Sequence, residues 1–181
     1  MATKYRTKAL VFKKEDRNDS DKVFSVFTND FGRLEIFAKA IRKSNSKLRA
    51  GIDIFSLSEI EFIQGKNKKT LTDARLIEKF SGISNSLSKF YVAKAMGCFL
   101  DNFLKGQEKD DKIFDLIIET MYRLNSCSYS SKKEDILKYY FLWNSLSLLG
   151  YHPEIHNCGL CRQKLRPGAL YFSVGAGGII C

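Results

Sequence analysis

A chain of 181 residues with 44% hydrophobic and 28% charged side chains is long enough for one large or two small folded units, and too apolar for extended disorder. It opens on no apolar stretch of signal-peptide length and holds no run near the roughly 20 apolar residues of a spanning helix, so a cytosolic protein without membrane association is expected. The formal charge of +10 points to polyanionic partners, and its distribution localises them: residues 1–80 carry 18 basic and 11 acidic side chains, residues 81–150 nine and eight, residues 151–181 three and one.

The first eighty residues read as strands. Segments 6–14 and 22–28 are short and rich in β-branched and aromatic residues. Asn29-Asp30-Phe31-Gly32 has the composition of a hairpin turn, after which 33–40 places Leu34, Ile36, Ala38 and Ala40 on one face at period two. Segment 52–63 sets Ile54, Ile60 and Phe62 against Phe55, Leu57 and Ile63, so both faces are apolar, as in a barrel strand that is also covered from outside. A turn at 64–67 leads to a fifth strand over 70–77. Five short antiparallel strands in about eighty residues suit a small closed barrel of the OB type.

Between the third and fourth strands, residues 41–51 hold Arg42, Lys43, Lys47 and Arg49, no acid and little hydrophobic content. Two readings stay open: a loop kept soluble by its charges, or a cationic finger beside the barrel that follows a phosphate backbone. With Lys39, these residues are the expected nucleic-acid contacts, and Arg33 and Lys13 are outer contributors. Phe31 and Phe37 are candidates for base stacking, with burial as the competing reading for each.

From about residue 84 the period becomes helical. Residues 88–104 align Tyr91, Ala95, Phe99 and Phe103, with Met96, Leu100 and Cys98 beside them; residues 111–125 align Ile113, Ile117, Met121 and Leu124. Ser131 and Glu134 match a capping box, and the helix they start runs through Ile136, Tyr140, Trp143 and Leu146 to Gly150, a C′ residue, with Pro153 beyond. Trp143 reads as core, and Cys127 as an ordinary loop thiol.

Residues 151–181 hold both prolines and five of the twelve glycines, a loop-rich module that needs a staple. Cys158-Gly159-Leu160-Cys161 is a C-x2-C pair, and Cys181 follows after 19 residues, which delivers three of the four ligands of a zinc ribbon. The strand-like 170–174 and Gly175, Gly177 and Gly178 would carry the second knuckle round. Zn2+ is expected on Cys158, Cys161 and Cys181, with His156 or residues beyond Cys181 as sources of a fourth ligand. A redox pair is the rival, but no strand-then-helix unit of thioredoxin type surrounds it.

This order of parts resembles the bacterial recombination-mediator family RecO along the whole chain. The most specific stretch runs from Thr28-Asn29-Asp30-Phe31-Gly32-Arg33-Leu34 through Ala38-Lys39-Ala40-Ile41-Arg42-Lys43 to Ser46-Lys47-Leu48-Arg49. Residues 55–61 with 71–74 resemble the family's fourth and fifth strands, and Leu148-Leu149-Gly150-Tyr151-His152-Pro153 its exit into the cysteine module. Ala40 stands where many members carry glycine, and the chain stops before the family's fourth cysteine and last helices, as a C-terminally truncated member would. The resemblance implies binding of single- and double-stranded DNA, strand annealing, and work with RecR to load RecA on DNA covered by single-strand binding protein (SSB), whose acidic tail is contacted. It implies a bacterial, nucleoid-associated location.

The expectation is an α+β chain: an OB-fold barrel over 1–80, a helical domain over 81–150, and part of a C4-type zinc module over 151–181. Catalysis is not expected. His152 and His156, the two histidines, both lie at the cysteine module, and neither a phosphate-binding glycine loop nor a carboxylate cluster for two-metal chemistry is present. An RNA-binding OB protein and a protein-only adapter are the competing readings.

Overall fold

The computed structural model describes residues 3–104, 106–127 and 131–181, the first two residues of the last segment by backbone alone. Two compact units emerge, Met1–Leu142 and Trp143–Cys181. Among the described residues, no helix is long and apolar enough to cross a membrane.

In the first unit, β1 (Lys4–Arg17), β2 (Asp21–Thr28), β3 (Gly32–Ala38), β4 (Ser56–Gln64) and β5 (Lys69–Lys79) close into a barrel in the order β1-β2-β3-β5-β4. The five-stranded OB-like barrel expected from the alternation is present. Closure differs in one respect: β3 and β5 pair in parallel, through Ile36 with Lys69 and Phe37 with Thr70. When all other neighbours are antiparallel, the first, third and fifth strands share one direction, so the seam between the last two has to be parallel. Strand β1 pairs with both β2 and β4, and its register shifts between Val11 and Lys13 as it bends from one to the other.

Period two sorts each strand. Ala9, Val11, Phe24, Val26, Leu34, Ile36, Ile60, Phe62 and Leu71 fill the barrel. Leu10, Phe12, Phe27, Phe55 and Leu57 are equally buried on the outside, where α2 (Leu87–Phe103) and α3 (Asp111–Ser126) lie on the barrel; α1 (Ser81–Ser84) packs on these two helices, and the first part of α4 (Ser131–Leu148) meets α2 through Phe141, edge-on to Phe99 at 5.8 Å. The Phe90 ring meets Phe55 edge-on at 5.2 Å, Phe114 stacks on Phe27 at 6.4 Å, and Gly97 lets α2 approach Phe12 so closely that an added Cβ would lie 3.1 Å from its carbonyl oxygen.

Helix α3 buries Ile113, Ile117, Met121 and Leu124 as expected, and Asp110 caps it by accepting the Ile113 N–H at 2.9 Å. Helix α2 is rotated from the expected stripe. Val92, Ala93, Met96, Phe99 and Leu100 face inward, whereas Tyr91, Ala95, Cys98 and Phe103 are exposed. In α4 the buried positions include Glu134 and Phe141, and Ile136 and Tyr140 are exposed. The Ser131 side of the capping box lies outside the described residues.

In the second unit α4 ends as read. Gly150 takes φ +87°, its N–H donates to the Ser147 carbonyl at 3.1 Å, and the Tyr151 N–H donates to Leu146 at 2.9 Å, a Schellman closure. Trp143 is half-buried, edge-on to Phe172 at 5.4 Å. A hairpin of β6 (Tyr171–Ser173) and β7 (Gly178–Ile180) then turns at Gly177, φ +65°, and delivers Cys181.

Candidate nucleic-acid interface and metal site

The basic segment after β3 is built as a lid on the barrel end. Ile41 and Ile52 are each 3% exposed and Leu48 packs against them, so the loop plugs the core with its apolar residues. Its backbone is tied at both ends: the Ala40 N–H donates to Asp21 Oδ1 at 2.7 Å, the Arg42 N–H donates to the Ser20 carbonyl at 3.0 Å, and Gly51 lies so close to Ala74 that an added Cβ would overlap its carbonyl. Residues Lys47–Ala50 form one turn of 3-10 helix. The segment therefore carries more hydrophobic anchoring than a solvated loop, and less freedom than a finger.

Burying the lid's apolar side chains turns its cations outward. Lys39, Arg42, Lys43, Lys47 and Arg49 are all exposed. Among the described residues, only Arg42 of these five has a carboxylate within 4.0 Å, Asp16 at 3.6 Å. Arg42 and Arg49 converge with Lys14 and Lys22 on a cleft of about 310 Å³ that also contains Asp53. Asp53 holds Lys14 at 2.6 Å, and Asp16 holds Lys22 at 3.2 Å. Lys39, Lys43 and Lys47 stand on the same lid outside the cleft lining.

Lys14 and Lys22 were not among the expected contacts. Lys14 is the register partner of Phe24 and Lys22 that of Ala38, so both stand on the core-facing side of their strands, where the barrel end opens beside the lid.

Lys13 and Arg33 are placed elsewhere. Both reach Asp101 of α2: Arg33 through Nε at 3.0 Å and through Nη2, Lys13 at 3.4 Å. Burial works against ionisation of Asp101, but the Arg33 hydrogen bond and charge, with those of Lys13, hold its carboxyl below the usual carboxylate range. Phe31 is half-buried against Tyr5 and Phe62, at 5.6 and 5.7 Å in edge-to-face geometry, and packs on the barrel core. Phe37 is half-buried on the outer face of β3.

The three cysteines of the second unit converge. The Sγ atoms of Cys158, Cys161 and Cys181 all lie within 4.8 Å of one another. The Cys161–Cys181 separation is 3.8 Å. A tetrahedron with metal–sulfur bonds of about 2.3 Å has an edge of about 3.8 Å, so the spacing fits a zinc-type centre. Cys158 is buried, and its sulfur accepts the backbone N–H of Cys161 and of Cys181, each at 3.5 Å. Those donors, with Leu160, lower its thiol to about 6, which favours the thiolate a metal needs, while the neighbouring Cys158 and Cys161 sulfurs push the Cys181 thiol up. Among the described residues the cluster consists of these three; His156 does not join it.

Comparison with known proteins agrees with this architecture. Residues 1–80 match the model of the recombination protein O N-terminal domain, and residues 84–181 that of its C-terminal domain. A DNA repair protein RecO of Dehalococcoides mccartyi strain 195 is 31% identical over 177 residues, 98% of this chain and 68% of the relative. The protein of that name from Desulfitobacterium hafniense DCB-2 is 27% identical over 98% of this chain and 63% of its own length, and that from Caldanaerobacter subterraneus 27% over 97% and 69%. With both halves matched by the family's own domain models, the chain belongs to the RecO family of DNA repair proteins.

Proposed function

We propose that the chain is a DNA-binding recombination mediator that holds single- and double-stranded DNA by its lidded barrel and promotes annealing without making or breaking covalent bonds. The observation that carries this is the outward set Lys39, Arg42, Lys43, Lys47 and Arg49, of which four have no carboxylate partner among the described residues. Cations held on an anchored lid release condensed counterions when phosphates replace them, which drives binding with little sequence preference. Screening two phosphate backbones at one surface lowers their repulsion, and base pairing completes annealing. Lys14 and Lys22 extend the surface. Lys13 and Arg33, occupied by Asp101, contribute to its field from the side.

Family membership supports the wider role: work with RecR in loading RecA on SSB-covered DNA, contact with the acidic tail of SSB, and a cytoplasmic, nucleoid-associated location in a bacterium. Zn2+ on Cys158, Cys161 and Cys181 would hold the second unit together, a structural role in which thiolates neutralise the ion.

The test is DNA binding across salt with Arg42→Glu, Lys43→Glu and Lys47→Glu combined. Affinity falls for all sequences alike, and the slope of log affinity on log salt flattens by about 0.7–0.9 per lost phosphate contact. Unchanged binding would remove the lid from the interface, and a wild-type chain without salt-dependent DNA binding would leave the adapter reading standing.

A further inference from the structure

A second cleft, of about 660 Å³, opens on the outer face of the barrel between β3 and the hairpin joining β4 to β5. Its floor is Val23 and Phe37, register partners on β2 and β3. Its wall is the hairpin, with Lys66, Lys68 and Lys69, closed by the Gly65 N–H donating to the Lys68 carbonyl at 2.9 Å. Among the described residues none of these lysines has a carboxylate within 4.0 Å. The Lys68 ammonium instead rests over the Phe37 ring, 4.1 Å from its centroid. The acid facing the cleft, Glu35, is paired with Arg33 at 3.2 Å.

An aromatic face beneath an ammonium, walled by lysines with no carboxylate partner among the described residues, is the combination that takes an unpaired nucleotide. The ring offers a stacking surface to any base, the lysines take the flanking phosphates, and Lys68 moves from the ring to a phosphate when a base arrives. A duplex, whose bases are already stacked, gains only the charge contacts. We infer that the Phe37 cleft is a stacking site for single-stranded polynucleotide, distinct in residues from the lid. Lys22 lines the lid cleft and Val23, the next residue, lines this one. Successive strand residues point to opposite faces, so the two clefts open on opposite sides of β2 and are separate sites.

This inference rests on the barrel binding polynucleotide, and the experiment separates the two. Labelled oligo-dT and a blunt duplex are titrated against the whole chain and against Phe37→Leu, Phe37→Trp and the triple Lys66→Gln, Lys68→Gln, Lys69→Gln, with thermal melts showing each barrel folded. Phe37→Leu weakens oligo-dT by about 5- to 150-fold, the range of one lost base–aromatic stack, and leaves the duplex unchanged. Phe37→Trp restores the affinity, and its added fluorescence is quenched by oligo-dT. The triple variant flattens the single-strand salt slope by about 0.7 per lost contact. Oligo-dT affinity unmoved by Phe37→Leu, an equal loss on the duplex, or a Phe37-dependent affinity for an acidic peptide alone each overturns the inference while the lid reading stands. A wild-type chain that binds neither nucleic acid overturns both.

Discussion

Arg33 on β3 and Asp101 on α2 meet across the boundary between barrel and helices, with Oδ1 of the carboxylate accepting from Nε and Nη2 of the guanidinium and Oδ2 left for Lys13. Two cations that composition alone assigns to a polyanion site thus fasten a helix to the barrel. Their side chains are 21% and 45% exposed, that of Asp101 26%.

Asp101→Asn should therefore destabilise the first unit without weakening DNA binding. Loss of charge-assisted hydrogen bonds at a partly solvated site costs roughly 1–2 kcal/mol, the lower part of the range for charged partners. The folded Asp101 carboxyl titrates below its unfolded value of about 3.9, so its stabilisation is present above pH 4 and is lost as pH falls through the folded value. Denaturant titrations of both proteins at pH 7 and near pH 3 check this: the difference between them closes in acid. A pH-independent difference would mean that packing, and not charge, is what the substitution removes.

Among the described residues, Ala40 is one of four non-glycine residues with positive φ, at +55°. It stands two residues beyond the end of β3, where the chain reverses into the lid, and the conformation is held by its N–H on Asp21, a bond that keeps the Asp21 carboxyl below the usual range. The left-handed region costs an L-residue roughly 1–2 kcal/mol, and glycine gives back part of the relief through its freer unfolded chain, about 0.4–1 kcal/mol. Ala40→Gly is thus expected to stabilise by about 0.5–1 kcal/mol, read as a raised thermal midpoint. The advantage of glycine here is a backbone one, visible only once φ is known.

How far the sequence was legible depended on whether one face or several could be the buried one. The strands were legible because alternation has two phases, and Leu34, Ile36 and Ala38 could face only the core. Helix α2 was not, because Leu87, Phe90, Tyr91, Val92, Met96, Phe99, Leu100 and Phe103 surround it, and a stripe through Tyr91 or through Val92 satisfies the same period. Phe12 against Gly97, and Phe55 against Phe90, choose between them, and both contacts cross sequence distances that no local pattern reports. In α4 the buried Glu134 gives no hydrophobic signal at all. The convergence of the three cysteines was legible from spacing, whereas the lid was half legible: its charges were plain, but Ile41 and Leu48 look like stray apolar residues until the barrel end is seen to need a plug.

Lys89 shows what composition hides. It is 3% exposed, and its ammonium donates to the carbonyls of Asn125 at 3.2 Å and Cys127 at 2.7 Å, at the end of α3 where helix carbonyls lose their partners. A cation there also meets the negative end of the helix dipole. Lys89→Met keeps the stem and deletes the donor, leaving carbonyls desolvated. A loss of about 2 kcal/mol is expected, with faster amide exchange in the last turn of α3. A neutral result would mean that water reaches those carbonyls as readily as the lysine does.

The cysteine cluster allows a test that does not depend on DNA. Cobalt(II), which takes the same tetrahedral sulfur sites as zinc and absorbs through thiolate-to-metal charge transfer, should bind the whole chain one to one. Cys158→Ser should cost the most, because Cys158 is the buried ligand and the one whose charge is prepared by the N–H groups of Cys161 and Cys181. Cys161→Ser and Cys181→Ser, at exposed positions, should keep weaker binding. Chelation should raise amide exchange over residues 154–181, where two short strands and a few turn bonds are the remaining hydrogen-bonded order. Equal loss in all three variants would show that the N–H donors to Cys158 stabilise the loop and not the thiolate. Absence of a charge-transfer band would show that the three sulfurs pack together without holding a metal.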